Sequence, residues 1–336
     1  MAVTYQSSGV DLTAAEKSMQ AIATLAKSTF NDQVVKEIGL FAGFFKLDLQ
    51  KYSNPIIVSS MDGVGTKLKI AFLLNRHGSV GQCLVNHCVN DIMTCGSDPL
   101  FFLDYFAVGK LEPAVAEQVV AGISKACREN SCVLIGGETA EMPGFYAVGE
   151  YDLAGTIIGA VNRENLIDGS QIAVGDVLLG VPSSGLHTNG YSLARKVLLD
   201  TAGVSLEQFI PELNGSWADA LLAVHKSYKT VIEAVRHLPG LTGISHITGG
   251  GIVGNTQRLL QPGQVLEIQW QSWERPVLFS MIQQLGSVAE EEMRRVFNLG
   301  IGLVLVVHES DVMTIKSTLK QLGETCFSIG RVVRGS

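Results

Sequence analysis

The chain reads as a two-domain protein of the α/β (or α+β) class, with helices layered on sheets in each half. Three observations lead there. Its 336 residues suffice for two separate cores. Short β-branched runs alternate with longer segments of helical period along both halves. A polar stretch, residues 162–176, interrupts the alternation once and ends in Gly175-Asp176. We place the boundary there, giving domains of residues 1–168 and 169–336.

The elements follow in order. The first fifty residues are mostly polar and helical, with a loose glycine and phenylalanine stretch from Gly39 to Phe45. Pro55 to Ser60 is short, β-branched and bounded by turn residues, which predicts a strand. Thr66 to Arg76 and Val80 to Cys95 predict helices, and Leu100 to Val108 an aromatic strand. Pro113 to Asn130 is the clearest helix. Val115, Val119, Ile123 and Ala126 share one face, and Pro113 sits near the first turn. Cys132 to Ile135 and Leu153 to Val161 are further strands.

The second half repeats the pattern. Val177 to Val181, Val265 to Trp270, Ile301 to Val307 and Phe327 to Val333 predict strands. Asn189 to Leu199, Trp217 to Leu238, Ile252 to Leu260, Pro276 to Leu285 and Val312 to Leu322 predict helices. The first-half strands are apolar along much of their length, so both sheet faces need cover. Helices can cover one face, and we expect a second copy of the chain to cover the other in a two-fold dimer.

Composition narrows the function. A formal charge of -7 leaves no basic surplus for broad nucleic-acid binding. The longest apolar runs are too short to span a bilayer, and Met1 to Gln20 has no signal-peptide pattern. Cys83, Cys88, Cys95, Cys127, Cys132 and Cys326 match no zinc spacing. They read as reduced thiols of a cytosolic, cytoplasmic enzyme.

Three clusters in the first half carry the chemistry: Asp62-Gly63-Val64-Gly65-Thr66-Lys67, Asn90-Asp91, and Gly136-Gly137-Glu138-Thr139-Ala140-Glu141. The first reads as a strand, a glycine turn and a helix start, where amides and the helix dipole favour an anion. It lacks the spacing of a Walker loop, and taken alone it is equally a strand–helix turn capped by Asp62. Asn90-Asp91 sits near a helix end, and alone it is an ordinary helical surface acid. The third cluster follows a buried-looking strand, at whose carboxyl end α/β proteins often bind ligands. Three such clusters in one domain supply a few carboxylates beside a phosphate cradle, the set that magnesium and ATP need.

In the second half, Ser183-Ser184-Gly185-Leu186-His187-Thr188-Asn189-Gly190 joins a strand to a helix and can cradle a second anion. His187 falls just before a helix start, which would keep it neutral and able to relay a proton, or it is simply a loop histidine. His77 and His225 read as ordinary surface residues. Gly249-Gly250-Gly251-Ile252-Val253-Gly254 fits a dinucleotide fingerprint, but the next strand carries its acid, Glu267, in the middle rather than at the end. A backbone anion nest is the better reading.

At these residues the chain resembles the phosphoribosylformylglycinamidine cyclo-ligases (AIR synthetases) of purine biosynthesis. The likeness covers nearly the whole chain. It rests on the clusters above and on Cys88-Val89-Asn90-Asp91, Pro99-Leu100-Phe101-Phe102-Leu103-Asp104-Tyr105, Tyr151-Asp152-Leu153-Ala154-Gly155, the Ser183 to Ser192 run, and His246-Ile247-Thr248-Gly249-Gly250-Gly251. Met61, Leu40, Cys95 and Asp98 depart from the family's usual residues.

The resemblance implies a mixed sheet that closes a barrel across a homodimer, a C-terminal α/β domain, and ATP-dependent ring closure of formylglycinamidine ribonucleotide. It implies Asp62, Asp91 and Glu138 as magnesium ligands. Gly63, Gly65, Thr66, Lys67, Asn90, Gly136, Gly137 and Thr139 would lie around ATP and its phosphates. Lys67, Asp91 and His187 would take catalytic roles. Ser183, Ser184, Gly185, Asn189, Gly249, Gly250 and Gly251 would hold the substrate's phosphate.

Sister enzymes are the main rivals. Selenophosphate synthetases carry a reactive N-terminal cysteine or selenocysteine, and hydrogenase-maturation dehydratases end in cysteine. Here the first cysteine is Cys83 and the last residues are Arg334-Gly335-Ser336. Thiamine-monophosphate kinases lack the Ser183 to Ser192 run in this form. An ATP-binding regulatory protein without turnover is the non-enzymatic rival, against which the retained acids, Lys67 and His187 argue.

Overall fold

The computed structural model describes residues 12–36 and 39–335. The polar segment expected before residue 12 lies outside them. The chain forms two compact units. One runs through Ile92 and resumes over Ser97–Arg163; the other takes Met93–Gly96 and the chain from Glu164 onward.

In the first unit, α1 (Leu12–Lys27) precedes β1 (Pro55–Gly63), α2 (Lys67–Leu74), α3 (Gly78–Met93), β2 (Asp98–Val108), α4 (Pro113–Glu129), β3 (Val133–Glu141) and β4 (Tyr151–Asn162). The sheet order is β1-β4-β2-β3. β2 and β3 run parallel while the other pairings are antiparallel, so the sheet is mixed as expected. On α4, Val119, Ile123 and Ala126 are fully buried, as their spacing predicts. Gly81 of α3 and Gly122 of α4 let the two helices touch. A Cβ on either would overlap a carbonyl of the other helix, that of Val119 or of Gly78.

β1 alternates sides. Ile57 and Met61 are exposed, whereas Val58, Ser60 and Asp62 are half-buried on the other face. The Gly136 to Glu141 cluster lies inside β3, not in a turn after it. Pairing with β2 extends this strand past its glycines, a tertiary effect that local turn chemistry opposes.

The second unit runs β5 (Val177–Pro182), α5 (Tyr191–Arg195), the two-residue strands β6 (Phe209–Ile210) and β7 (Gly215–Ser216), α6 (Trp217–Leu222), α7 (Lys229–Val235), β8 (Leu241–His246), α8 (Gly251–Thr256), β9 (Gln264–Ile268), α9 (Val277–Gly286), α10 (Glu290–Val296), β10 (Ile301–Val307), α11 (Val312–Gln321) and β11 (Phe327–Arg334). Its main sheet has the order β8-β10-β5-β11-β9, and every pairing is antiparallel. β10 is buried at every residue, and its Val304 and Val306 join Leu178, Ile252, Ile329 and Val332 in the core.

Several boundaries differ from expectation. The helix expected over Trp217 to Leu238 is two helices with an irregular stretch between them. A capping box of Ser216 and Asp219 starts α6, and Ala223 leaves helical geometry at ψ 132. The stretch is held instead by Ser184, whose hydroxyl donates to the Val224 carbonyl at 2.6 Å. α5 is short and loosens into wider turns over Lys196–Thr201. β8 escapes sequence reading because Thr242, Gly243 and Ser245 break its apolar run, and α10 because its first residues are all glutamate.

Candidate active site

In the first unit, the turn Val64-Gly65-Thr66 joins β1 to α2, with Gly65 at φ 56 in the left-handed region that glycine tolerates. Gly65 and Thr66 are exposed at the surface of the turn. Lys67 behaves otherwise. It is fully buried, and its Nζ donates to Cys83 Sγ at 3.1 Å. The expected phosphate lysine therefore points beneath the turn, because it opens α2 on the side packed against α3. Asn90 is likewise fully buried.

Asp62 and Asp91, from separate motifs, do come together. Asp62 ends β1 on the face covered by α3, and Asp91 lies near the end of α3. Asp62 Oδ2 lies 3.0 Å from His87 Nε2, and its Oδ1 accepts from the Gly63 amide at 2.9 Å. Ser60 Oγ donates to Asp91 Oδ2 at 3.2 Å. Burial first, and then the charges of Asp62 and Asp91, push the neighbouring Cys88 thiol well up.

Glu138 does not join this pair within one chain. It is in register with Tyr105, whereas Asp62 is in register with Gly155, Gly155 with Asp104, and Asp104 with Gly137. Side chains alternate along strands, so Glu138 leaves the sheet on the face opposite Asp62. A spacing of residues along the chain does not reveal which face each takes. Asp104, missed as a functional candidate, occupies the Asp62 face instead. Burial raises its carboxyl to about 7. Gly137 serves it sterically, because a Cβ there would collide with the Asp104 carboxylate. A polar cleft lined by Lys46, Lys51, Asp48 and Asp98 lies near the start of β2, away from the Asp62 row.

In the second unit, two glycine turns far apart in sequence meet. A Cβ on Gly249 would sit 3.4 Å from Asn189 Oδ1. Asn189 Nδ2 is buried with no hydrogen-bond partner among the described residues, a donor that an anion would satisfy. Gly185, Gly190, Gly250 and Gly251 all have positive φ, the left-handed conformation from which anion-binding turns are built. The serine hydroxyls build the loop rather than face a ligand. Ser183 Oγ lies 3.0 Å from both the Gly185 carbonyl and Asn298 Oδ1, and Ser184 Oγ is held by Val224. Asn298, which no motif announced, also donates to the Gly185 carbonyl at 2.8 Å and accepts from the Gly300 amide at 2.9 Å.

His187 is 1% exposed and holds a left-handed backbone at φ 62, unusual for a non-glycine residue. It lies ahead of α5, which starts at Tyr191, so the helix start does not act on it directly. Its Nε2 accepts from the Ser184 amide at 3.2 Å, which assigns the ring proton to Nδ1 in the neutral form. The ring stacks on His225 at 3.9 Å between centroids. His225 is fully buried and His77 is 3% exposed, so neither is a surface residue. His77 Nδ1 pairs with the Tyr151 hydroxyl at 3.0 Å.

Comparison with known proteins agrees with these two units. The description "AIR synthase related protein, N-terminal domain" matches residues 47–161, and its C-terminal counterpart matches residues 173–336. The chain is 48% identical over 335 residues to a phosphoribosylformylglycinamidine cyclo-ligase of Thermodesulfovibrio yellowstonii, covering 100% of this chain and 98% of that one. Among solved structures it is similar to thiamine-monophosphate kinase from Stenotrophomonas maltophilia, with TM-score 0.72, 15% identity and 94% of each chain covered. It is also similar to hydrogenase maturation protein HypE in complex with ATP, with TM-score 0.67, 18% identity, and 94% and 86% of the two chains covered. At those identities the structures speak for the fold alone. The full-length relative and the two matched domains place the chain in the phosphoribosylformylglycinamidine cyclo-ligase family.

Proposed function

We propose that this chain carries out its family's reaction: ATP-dependent ring closure of formylglycinamidine ribonucleotide to aminoimidazole ribonucleotide, with release of ADP and phosphate, in de novo purine biosynthesis. A formamide carbonyl is a poor electrophile. Transfer of the γ-phosphoryl group to its oxygen makes a leaving group, the amidine nitrogen attacks the formyl carbon, and phosphate departs as the ring closes. In phosphoryl transfer the protein mainly positions groups and neutralises charge.

The observation that carries the assignment is the convergence of Asp62 of β1 and Asp91 of α3, acids from separate motifs whose charges both act on Cys88. Two carboxylates beside an exposed glycine turn suit magnesium, which binds through one or two acids plus phosphate oxygens. Asp62 and Asp91 would hold magnesium, which when bound would supply charge neutralisation to the phosphates. His87 and Ser60 orient the two acids, and the Gly63 to Thr66 turn faces the polyphosphate. Lys67 supports that turn from beneath, and reaches a phosphate only by leaving Cys83. Asn189 and the amides of Gly249 and Gly250 take the substrate's phosphate, the Gly251 amide already donating to the Thr248 carbonyl at 3.2 Å. His187 acts as a donor through Nδ1 to the transferred phosphoryl, since Ser184 occupies its Nε2 lone pair.

The assembly is a homodimer. Ile57 and Met61 are 58% and 66% exposed, and Tyr105 shares their face. A second copy covers these side chains and closes the sheet into a barrel, with Glu138 on the covered face. The enzyme works in the cytoplasm; among the described residues no helix is long and apolar enough to cross a membrane.

The test is ADP release measured with and without formylglycinamidine ribonucleotide, for the unaltered chain and for Asp62→Asn and Asp91→Asn. We expect substrate-dependent release in the first and its loss in both variants, with unfolding temperature retained. Release that ignores the nucleotide would place the chain with a sister activity. Normal turnover in both variants would remove the acids from the site.

A further inference from the structure

The second unit brings three histidines together that the ring-closure chemistry does not require as a group. His187, His225 and His246 are 1%, 0% and 6% exposed. One ligand atom from each lies within 4.8 Å of the others. The three come from three places in the chain: the Ser183 to Gly190 loop, the irregular stretch between α6 and α7, and the end of β8. His225 Nε2 faces His246 Nε2 at 2.9 Å. We propose that these residues form a binding site for one late first-row transition-metal ion of the zinc or nickel kind, separate from the magnesium that accompanies ATP.

The donor set decides the class of ion. Three imidazoles suit zinc, nickel or copper, whereas magnesium and calcium require oxygen ligands. His225 also has a hydrogen-bond partner on its other ring nitrogen. Thr188 Oγ1 lies 3.3 Å from His225 Nδ1. With Nδ1–H donating to that hydroxyl, the lone pair of His225 stays on Nε2, toward His246, which is how outer-shell partners set the tautomer of a ligating histidine.

The spacing is close to what coordination needs. With metal–nitrogen bonds of about 2.0–2.1 Å, two nitrogens 2.9 Å apart subtend roughly 90° at the metal, as in octahedral or square sites. Opening the pair by about half an ångström gives the tetrahedral angle that zinc prefers. The metal lies beside the line joining the two nitrogens, so both rings swivel slightly to aim at it.

His187 completes the set at a cost. Its ring is within 20° of parallel to that of His225, an arrangement in which the two lone pairs do not converge. It must rotate out of the stack and release its Nε2 from the Ser184 amide. Metal capture therefore reshapes the loop that carries Ser183, Ser184, Gly185 and Asn189.

The experiment measures binding rather than turnover, so its outcome is independent of the ring-closure assignment. The full chain is stripped with chelator and titrated with Zn2+ against a chromophoric chelator, and with Co2+ while visible d–d absorption is recorded. We expect one Zn2+ per chain, nitrogen-ligated Co2+ bands, and no displacement by excess Mg2+. His225→Ala should weaken Zn2+ binding by at least tenfold, and Thr188→Val by about 10- to 100-fold through the lost outer-shell partner. His237→Ala, at an exposed histidine, should change nothing. Absence of stoichiometric Zn2+, unchanged affinity in Thr188→Val, or loss of binding in His237→Ala overturns the site and leaves the cluster a hydrogen-bonded piece of core. If circular dichroism shows that His225→Ala does not fold, Thr188→Val decides.

Discussion

Asp104 gives the sharpest quantitative test of the first unit. Its carboxyl is raised from 3.8 to about 7, chiefly by burial. A raised acid binds its proton more tightly in the folded chain than in the unfolded one. Stability attributable to it is therefore fully present below pH 3.8, falls as pH rises toward about 7, and is flat above that. At about 1.4 kcal/mol per pH unit the full penalty is about 4 kcal/mol. Asp104 keeps some exposed surface, and we discount the figure to roughly 2–4 kcal/mol. Asp104→Asn keeps the shape and removes the charge. The variant should exceed the unaltered chain in stability by roughly 2–4 kcal/mol at pH 8 and by about 1 kcal/mol at pH 5. At two to four degrees per kcal/mol, the pH 8 gain is at least about 4 °C in unfolding temperature. Urea and thermal unfolding followed by circular dichroism at both pH values measure it. An equal advantage at pH 5 and pH 8, or none at pH 8, would show that the carboxylate is stabilised in the fold and that burial does not set its titration.

Other expectations follow from the same geometry. Gly137→Ala drives a Cβ into the Asp104 carboxylate and should destabilise the chain by about 1–3 kcal/mol, seen as a lowered urea midpoint; an unchanged midpoint would mean that Asp104 simply turns away. Met61→Glu places a charge on the exposed sheet face and should yield monomers in light scattering where the unaltered chain gives dimers; a dimer that survives the change, or an unaltered chain that is monomeric and active, refutes the proposed interface. His187→Ala should lower turnover by about 100- to 10,000-fold with ATP affinity little changed. Weak ATP binding with normal saturated turnover would make it a nucleotide contact.

Much of the architecture was legible because local periodicity and tertiary demand agree. β10 is a strand over Ile301–Val307, as its unbroken β-branched run requires, and α4 buries the stripe its spacing marks. The motifs also singled out Asp62, beside its glycine turn, and Asp91, in an Asn-Asp pair near a helix end, because three such clusters fell in one half of the chain. Sequence by itself therefore determined the class of the fold, the position of these elements and the family.

Tertiary structure decided what each side chain faces. Strand pairing carried Gly136 to Glu141 into β3, and the alternation of that strand sent Glu138 to the face opposite Asp62. Packing of α2 against α3 buried Lys67 on Cys83. The bond from Ser184 to Val224 accompanies a break in a helical pattern that otherwise continues, and it is on that irregular stretch that His225 reaches His187 and His246. Asn298 holds a loop more than a hundred residues away in sequence. Each of these outcomes depends on contacts between distant segments. Local propensity, which reports the preferences of a few neighbouring residues, carries no record of them.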